Sequence, residues 1–152
     1  MSEDRAIWTK SMREFLLEGL NLQTIQGKRC DGGSGWKKDA WEAVRKILNE
    51  KFEVKFTVKQ MKECFNNMKK DYQIVKELRD LSGFGWDDEQ EMVTASKEVW
   101  DTYVAQHKEA KKFRGKPWPF FDIMHEILDG RIPNGSEKFY PTLRKVLFIL
   151  IY

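Results

Sequence analysis

The sequence predicts an all-α domain, and three observations support this fold class. Apolar residues recur every three or four positions in several segments, which is the spacing of an amphipathic helix. Loops rich in glycine or proline separate these segments, and strand-like patterning competes only in the last seven residues. The chain has 152 residues, of which 41% are hydrophobic and 13% aromatic, so one domain with a substantial core is expected.

The first two helices are predicted on either side of a loop. An apolar stripe over residues 7–22 indicates a helix that Asp4 or Thr9 could cap. The stripe consists of Trp8, Met12, Phe15, Gly19 and Leu22. Residues 24–35 contain four glycines without either periodicity, which predicts a loop. A second apolar face over residues 36–51, which includes Trp41, predicts the second helix.

The third helix is the most regular of the set. It is predicted to begin after Thr57 as N-cap and to end before Gly83, because neither proline nor glycine interrupts this span. About 25 residues would give a helix roughly 37 Å long. Its apolar positions are Val58, Met61, Phe65, Met68, Tyr72, Val75 and Leu78.

Two shorter helices follow. Residues 95–107 are predicted to form one behind Thr94 or Ser96, and the segment from Phe120 to Gly130 is predicted to form the other. Between them lies a basic loop with two prolines, residues 111–119.

Trp8, Trp41 and Trp100 lie on apolar stripes and are expected in the core. Trp36, Trp86 and Trp118 flank glycine or proline and are expected to be partly exposed.

Charge is unevenly distributed along the chain. The net charge is only +3, yet the segment from Lys55 to Lys76 holds six lysines against one glutamate and one aspartate, a net charge of +4. The acidic stretch 87–91 offsets part of it. The polar face of the third helix carries Asn, Gln, Glu and Lys side chains, which can bond base edges in a major groove or phosphates. A solvated surface is the alternative for such a face.

The sequence lacks the residue patterns that several classes of function require. The two cysteines and two histidines show neither disulfide nor zinc-finger spacing, so we expect reduced thiols and no metal or other cofactor. His125-Glu126 begins like a zinc-protease motif, but Asp129 stands where the second histidine belongs. No catalytic set is found, and the sequence predicts neither an enzyme nor a small-molecule substrate. The longest apolar run has seven residues, so no membrane association is expected.

Six segments in order resemble the Myb/SANT-like domain of plant and fungal proteins. Trp8-Thr9, Trp41 and Phe65 resemble the spaced tryptophans of Myb repeats, with Phe in place of the last Trp. The resemblance covers about residues 8–128. The six segments are Phe56–Lys62, Met68–Tyr72, Ser82–Asp87, Met92–Ser96, Glu98–Trp100 and Ala110–Arg114, the last followed by Lys116-Pro117.

This resemblance implies an all-α fold: a Myb/SANT-like three-helix unit of the helix-turn-helix type, extended by two C-terminal helices. The protein would lie in the nucleus, and its third helix would read double-stranded DNA in the major groove, in transcriptional regulation or as a transposon-derived protein. The implied DNA-binding residues are Lys59, Lys62, Glu63, Asn66, Asn67, Lys69 and Lys70. The last two would contact the phosphate backbone. A protein partner or a homodimer is compatible with the small footprint of a lone unit.

A rival function belongs to another class. SANT-type domains share these helices but often bind proteins, and the modest net charge and acidic 87–91 segment suit an interaction module without direct DNA binding. The domain is predicted over residues 1–130. Residues 131–152 form an unassigned C-terminal tail that begins like a linker and ends in an uncharged, β-prone run.

Overall fold

The computed structural model describes residues 6–30 and 35–130, which are mostly helical. Five α-helices are α1 (Lys10–Ile25), α2 (Lys38–Phe52), α3 (Val58–Asp80), α4 (Lys97–Gln106) and α5 (Phe121–Asp129). Between α3 and α4 lie two strands, β1 (Gly85–Asp87) and β2 (Met92–Thr94), and a 3₁₀ helix (Lys108–Phe113) follows α4. The predicted tail at 131–152 lies outside the described residues.

Helix α1 occupies the centre of the fold. It begins after Thr9, whose hydroxyl accepts a hydrogen bond from the N–H of Met12 at 3.2 Å, so Thr9 rather than Asp4 is the cap. Residues 15–23 are all buried because α2, α3 and α5 pack around the helix. Gly19 lies against Val44 of α2, and a Cβ there would come 3.1 Å from a Val44 methyl. The small residue therefore allows the two helices to approach closely.

The β-hairpin is the main departure from the all-α prediction. Strands β1 and β2 are antiparallel, with Trp86 opposite Val93. Each has three residues, which is too short for an alternating pattern to be recognised in sequence. Between the strands, the Asp87 carboxylate accepts hydrogen bonds from the N–H groups of Glu89 and Gln90. The turn chemistry of Asp87 explains why this acidic stretch forms a hairpin.

The prediction that Trp36 and Trp118 are partly exposed was wrong. Trp36 and Trp118 are buried, although each adjoins glycine or proline. Trp36 donates its indole N–H to Thr24 Oγ1 at 2.9 Å, and its ring meets the rings of Trp41 and Phe65 edge to face. Trp86 is half-buried. The loop flanking α2 therefore contributes a core side chain, which local sequence does not reveal.

Candidate nucleic-acid interface

The start of α3 is determined by a reciprocal pair of hydrogen bonds. The Thr57 hydroxyl accepts from the Gln60 N–H at 3.1 Å, and the Gln60 side-chain oxygen accepts from the Thr57 N–H at 2.9 Å. This capping box satisfies two N–H groups that the helix itself cannot pair. The predicted N-cap at Thr57 is confirmed.

The turn that joins α2 to α3 is held from α2. The Asn49 side chain donates to the carbonyl of Phe56 and accepts from its N–H, both at 3.0 Å. Glu53, which follows α2, adopts the left-handed conformation with φ 54°. These contacts set the angle at which α3 leaves α2. A helix-turn-helix unit requires such a fixed angle to present its last helix.

The inward face of α3 is packed against aromatic rings. Phe65 lies 5.0 Å from Trp36 and 6.4 Å from Trp41, measured between ring centroids, in both cases edge to face. Six further side chains of this face are buried: Met61, Cys64, Met68, Tyr72, Val75 and Leu78. Because this side is fixed in the core, the rotation of α3 about its axis is determined, and so is the set of residues that faces solvent.

The structure places all seven residues implied by the resemblance on the exposed side of α3. They are Lys59, Lys62, Glu63, Asn66, Asn67, Lys69 and Lys70. Within the described chain, none of the four lysines forms a salt bridge and neither asparagine uses its side-chain amide in a hydrogen bond. The Lys62 ammonium lies 5.7 Å from the Trp41 ring centroid. Polar groups on this face are thus available to an external ligand.

Three of these residues, Lys59, Glu63 and Asn67, line a groove of about 920 Å³ beside the first half of α3. Its opposite side comes from the N-terminal segment and α1. The other lining residues are Ala6, Trp8, Arg13, Lys55, Thr57, Gln60 and Cys64. The groove therefore collects three cations against one carboxylate. An anion with polar edges is the ligand that this charge balance favours.

Arg13 and Lys55 are candidate site residues that sequence reasoning did not single out. Arg13 belongs to a helix analysed only for its apolar stripe, and no local signal links it to α3. The structure brings it close to Cys64, where its charge opposes the burial that raises the pKa of the Cys64 thiol to about 11. Lys55 begins the basic segment and could have been found from its position three residues before α3.

The N-terminal segment is positioned by an aromatic stack. The Trp8 ring lies 4.4 Å from the Phe56 ring with an interplanar angle of 28°. Phe56 is the residue that Asn49 holds, so this segment and the α2–α3 turn share one support. Trp8 also lines the groove, so the stack keeps this part of the N-terminal segment beside the start of α3.

A polar cluster connects the second half of α3 to α5. The Tyr72 hydroxyl contacts the Asp129 carboxylate and lies 2.9 Å from His125 Nδ1, while Lys76 pairs with Asp129 at 3.1 Å. The hydrogen bond from Tyr72 lowers the pKa of Asp129. Burial, together with this carboxylate, raises the pKa of Tyr72. Because Tyr72 is fully buried and bonded to residues of α5, the cluster fixes the second half of α3 against α5.

Metal-binding clusters and membrane-spanning helices are both absent from the described part of the chain. Residues 6–30 and 35–130 contain no cluster of three His, Cys, Asp or Glu side chains that could hold a metal ion. In the same ranges, no helix has the length and apolarity needed to cross a membrane.

Comparisons with known proteins give two relatives. The chain is 28% identical over 142 residues to the L10-interacting MYB domain-containing protein of Arabidopsis thaliana, an alignment that covers 93% of this chain and 31% of the relative. An uncharacterised protein of the same plant is 28% identical over 115 residues, or 75% of this chain and 37% of that protein. The chain thus spans about one third of the length of the curated relatives it matches. No solved structure matches.

The family comparison covers most of the elements described above. The model of the Myb/SANT-like DNA-binding domain matches residues 7–103, from the N-terminal segment through α4. That span includes the capped and buttressed α3 and all seven exposed residues on its outer face. The chain belongs to the Myb/SANT-like DNA-binding domain family.

Proposed function

We propose that the chain binds double-stranded DNA by placing the exposed face of α3 in the major groove. In this proposal α1, α2 and α3 form the helix-turn-helix unit, and α4 and α5 support it within a single domain over residues 1–130. The observation that carries the proposal is the set of exposed polar side chains on α3, held outward by the aromatic core around Phe65. Base readout requires such groups on a rigid helix.

The roles of the side chains follow from their chemistry. Asn66 and Asn67 can each present an amide donor and acceptor to adenine, and Glu63 can accept from the amino group of cytosine. Lys59 and Lys62 can reach guanine or a phosphate. Lys69 and Lys70 contact the phosphate backbone, and Arg13 and Lys55 do so at the groove beside the start of α3. No reaction and no cofactor is part of this function.

The cellular setting follows from the same function. A DNA-binding module of this family acts in the nucleus, in transcriptional regulation or as a transposon-derived protein. A single α3 covers few base pairs, so a homodimer or a protein partner would complete a longer site. Because the relatives extend well beyond the matched region, the chain supplies the DNA-binding part of such a system.

A protein-interaction module is the second candidate, and one observation favours it. An apolar cleft of about 430 Å³ lies between the end of α3 and α4, lined among others by Leu81, Phe84, Val99 and Tyr103. The name of one relative also describes that relative as L10-interacting. In this alternative the cleft would hold a partner and α3 would be a solvated surface.

The salt dependence of duplex binding tests the proposal. Removing one lysine that binds a phosphate should reduce the slope of log affinity against log salt by about 0.9. We expect the Lys69→Ala, Lys70→Ala double variant to bind every duplex more weakly and with a slope shallower by about 2. Lys46→Glu, on the outer face of α2, changes the net charge equally and serves as the control. Unchanged affinity of the double variant at low salt would contradict the assignment of α3.

A further inference from the structure

Residues 108–116 form a second basic segment, which lies outside the residues that the family model matches. The segment contains four lysines and one arginine against one glutamate, a net charge of +4. Its charged residues are Lys108, Glu109, Lys111, Lys112, Arg114 and Lys116. This equals the net charge of the longer Lys55–Lys76 segment that contains most of α3.

The backbone of this segment is held by the core on both sides. Ala110 and Phe113 of the 3₁₀ helix are buried, and so is Trp118 directly after the segment. The Phe113 and Trp118 rings meet edge to face, and the backbone N–H of Trp118 donates to the Glu91 carbonyl at 2.7 Å. The lysines therefore extend from a fixed backbone, which does not have to be ordered when a ligand binds.

The segment lies directly beside α3. Lys112 forms an ion pair with Asp71, the residue that follows Lys69 and Lys70 on α3. Asp71 is largely buried, and Lys112 offsets its negative charge. On a helix, Asp71 is one turn beyond Asn67 and on the same side. The basic segment thus borders the exposed face of α3 along the edge that carries Glu63 and Asn67.

The same edge continues to the N-terminal end of α3. Pro117 lines a second groove, of about 570 Å³, together with Trp8 and Arg13. Trp8 and Arg13 also line the groove beside Lys59 and Glu63. Cations therefore follow α3 on one side, from Arg13 near its start to Lys112 near its second half.

We propose that residues 108–116 contact the phosphates of the DNA flanking the site read by α3, and so enlarge the footprint of the module. This proposal rests on the proposed function. Lys111 and Lys116 are exposed and form no salt bridge within the described chain, so both are free to bind phosphate. Lys112 holds the segment against α3, and Arg114 holds it against α4 through Asp101 at 2.7 Å.

The test measures the affinity of the whole 152-residue chain for DNA duplexes of two lengths. Affinities are measured by fluorescence anisotropy over a range of salt, for a duplex of about 10 base pairs and one of about 24, where about 10 base pairs make one helical turn. We expect Lys111→Ala with Lys116→Ala to lower affinity for the long duplex on the order of tenfold at 0.1 M salt, with a slope shallower by about 2. The decrease on the short duplex should be smaller.

Two variants control for net charge and for the charges of the segment itself. Lys46→Glu makes the same change in net charge on the exposed face of α2 and should leave affinity within about twofold, because salt screens the effect of an exposed charge beyond ~10 Å. Lys111→Arg with Lys116→Arg keeps the charges and should retain binding to both duplexes.

The outcomes separate the two proposals. Wild-type affinity and slope in the Lys111/Lys116 alanine variant, alongside weakened binding by the Lys69/Lys70 variant, would overturn the flanking contact and leave α3 as the DNA-binding element. An equal decrease on both duplexes would also overturn it, since no flank is then involved. A wild-type chain without salt-dependent affinity for any duplex would overturn both proposals.

Discussion

The side chain of Asn49 near the end of α2 pairs with both backbone hydrogen-bonding groups of Phe56, the residue before the N-cap of α3, at 3.0 Å each. A single side chain thus replaces the backbone partners that the turn lacks. The same Phe56 stacks on Trp8. The direction of α3 therefore depends on one amide in α2, and the N-terminal segment depends on the ring that this amide positions.

Replacing Asn49 by alanine should destabilise the fold and weaken DNA binding together. The change removes two hydrogen bonds at a partly buried turn, which corresponds to about 1–3 kcal/mol in the free energy of unfolding. Chemical denaturation measures this destabilisation. Asn49→Asp keeps the acceptor for the Phe56 N–H but not the donor, so its stability should fall between those of wild type and the alanine variant. Equal stability of all three proteins would contradict this role.

Asn66→Ala should change sequence preference more than overall affinity. An amide paired with adenine contributes about 1–3 kcal/mol of discrimination against other bases, whereas the phosphate contacts proposed for the neighbouring lysines would be unaffected. Selection of bound duplexes from a random pool, for wild type and variant, would show relaxed preference at one position. Gln106→Ala, which removes an amide on α4, is the matched control. Identical selected sites for wild type and Asn66→Ala would exclude Asn66 as a reader.

Glu18 should make the stability of the domain depend on pH. The residue lies within α1 at 5% exposure, its Oε2 has no hydrogen-bond partner in the described chain, and burial, with a smaller effect of Glu14, raises its pKa to about 7. The folded state then binds a proton that the unfolded state releases above pH ~4.5. The contribution of protonated Glu18 to the free energy of unfolding is present in full below that pH and is lost as the pH rises towards 7.

Glu18→Gln removes this titration while keeping the shape of the side chain. The difference in unfolding free energy between variant and wild type should shift in favour of the variant by about 3 kcal/mol from pH 4.5 to pH 8, because one pKa unit corresponds to ~1.4 kcal/mol. Urea denaturation at several pH values measures it. A difference that does not change with pH would contradict a raised pKa for Glu18.

Gly85→Ala should destabilise the β-hairpin. A Cβ at this position would come 2.9 Å from Thr94 Oγ1 across the two strands, closer than normal contact. We expect a destabilisation of about 1–2 kcal/mol, as for other overpacked sites. Adding Thr94→Ala removes the clashing oxygen and should recover most of the stability, which thermal unfolding of the single and double variants would show. If Thr94→Ala does not restore stability, the contact with Thr94 Oγ1 is not the cause of the destabilisation.

The sequence alone was sufficient for the features that depend on neighbours along the chain. Thr9, Thr57 and Ser96 are the N-caps because a hydroxyl can reach an N–H three residues ahead without any tertiary partner. Gly83, with φ of 90°, follows the end of α3 for an equally local reason. The exposed face of α3 also followed from the sequence, since a period of 3.6 residues separates apolar from polar positions whatever the helix packs against.

The tertiary structure decided the features that join distant parts of the chain. Trp36 is buried because Thr24 and Phe65 meet it from two helices, and neither contact is visible in its glycine-flanked context. Arg13 faces α3, and Lys112 pairs with Asp71 across 41 positions of sequence. Periodicity assigns a residue to a face of its own helix but does not specify the neighbour of that face. Packing of α1 and the 3₁₀ helix against α3 determined where the additional cations lie.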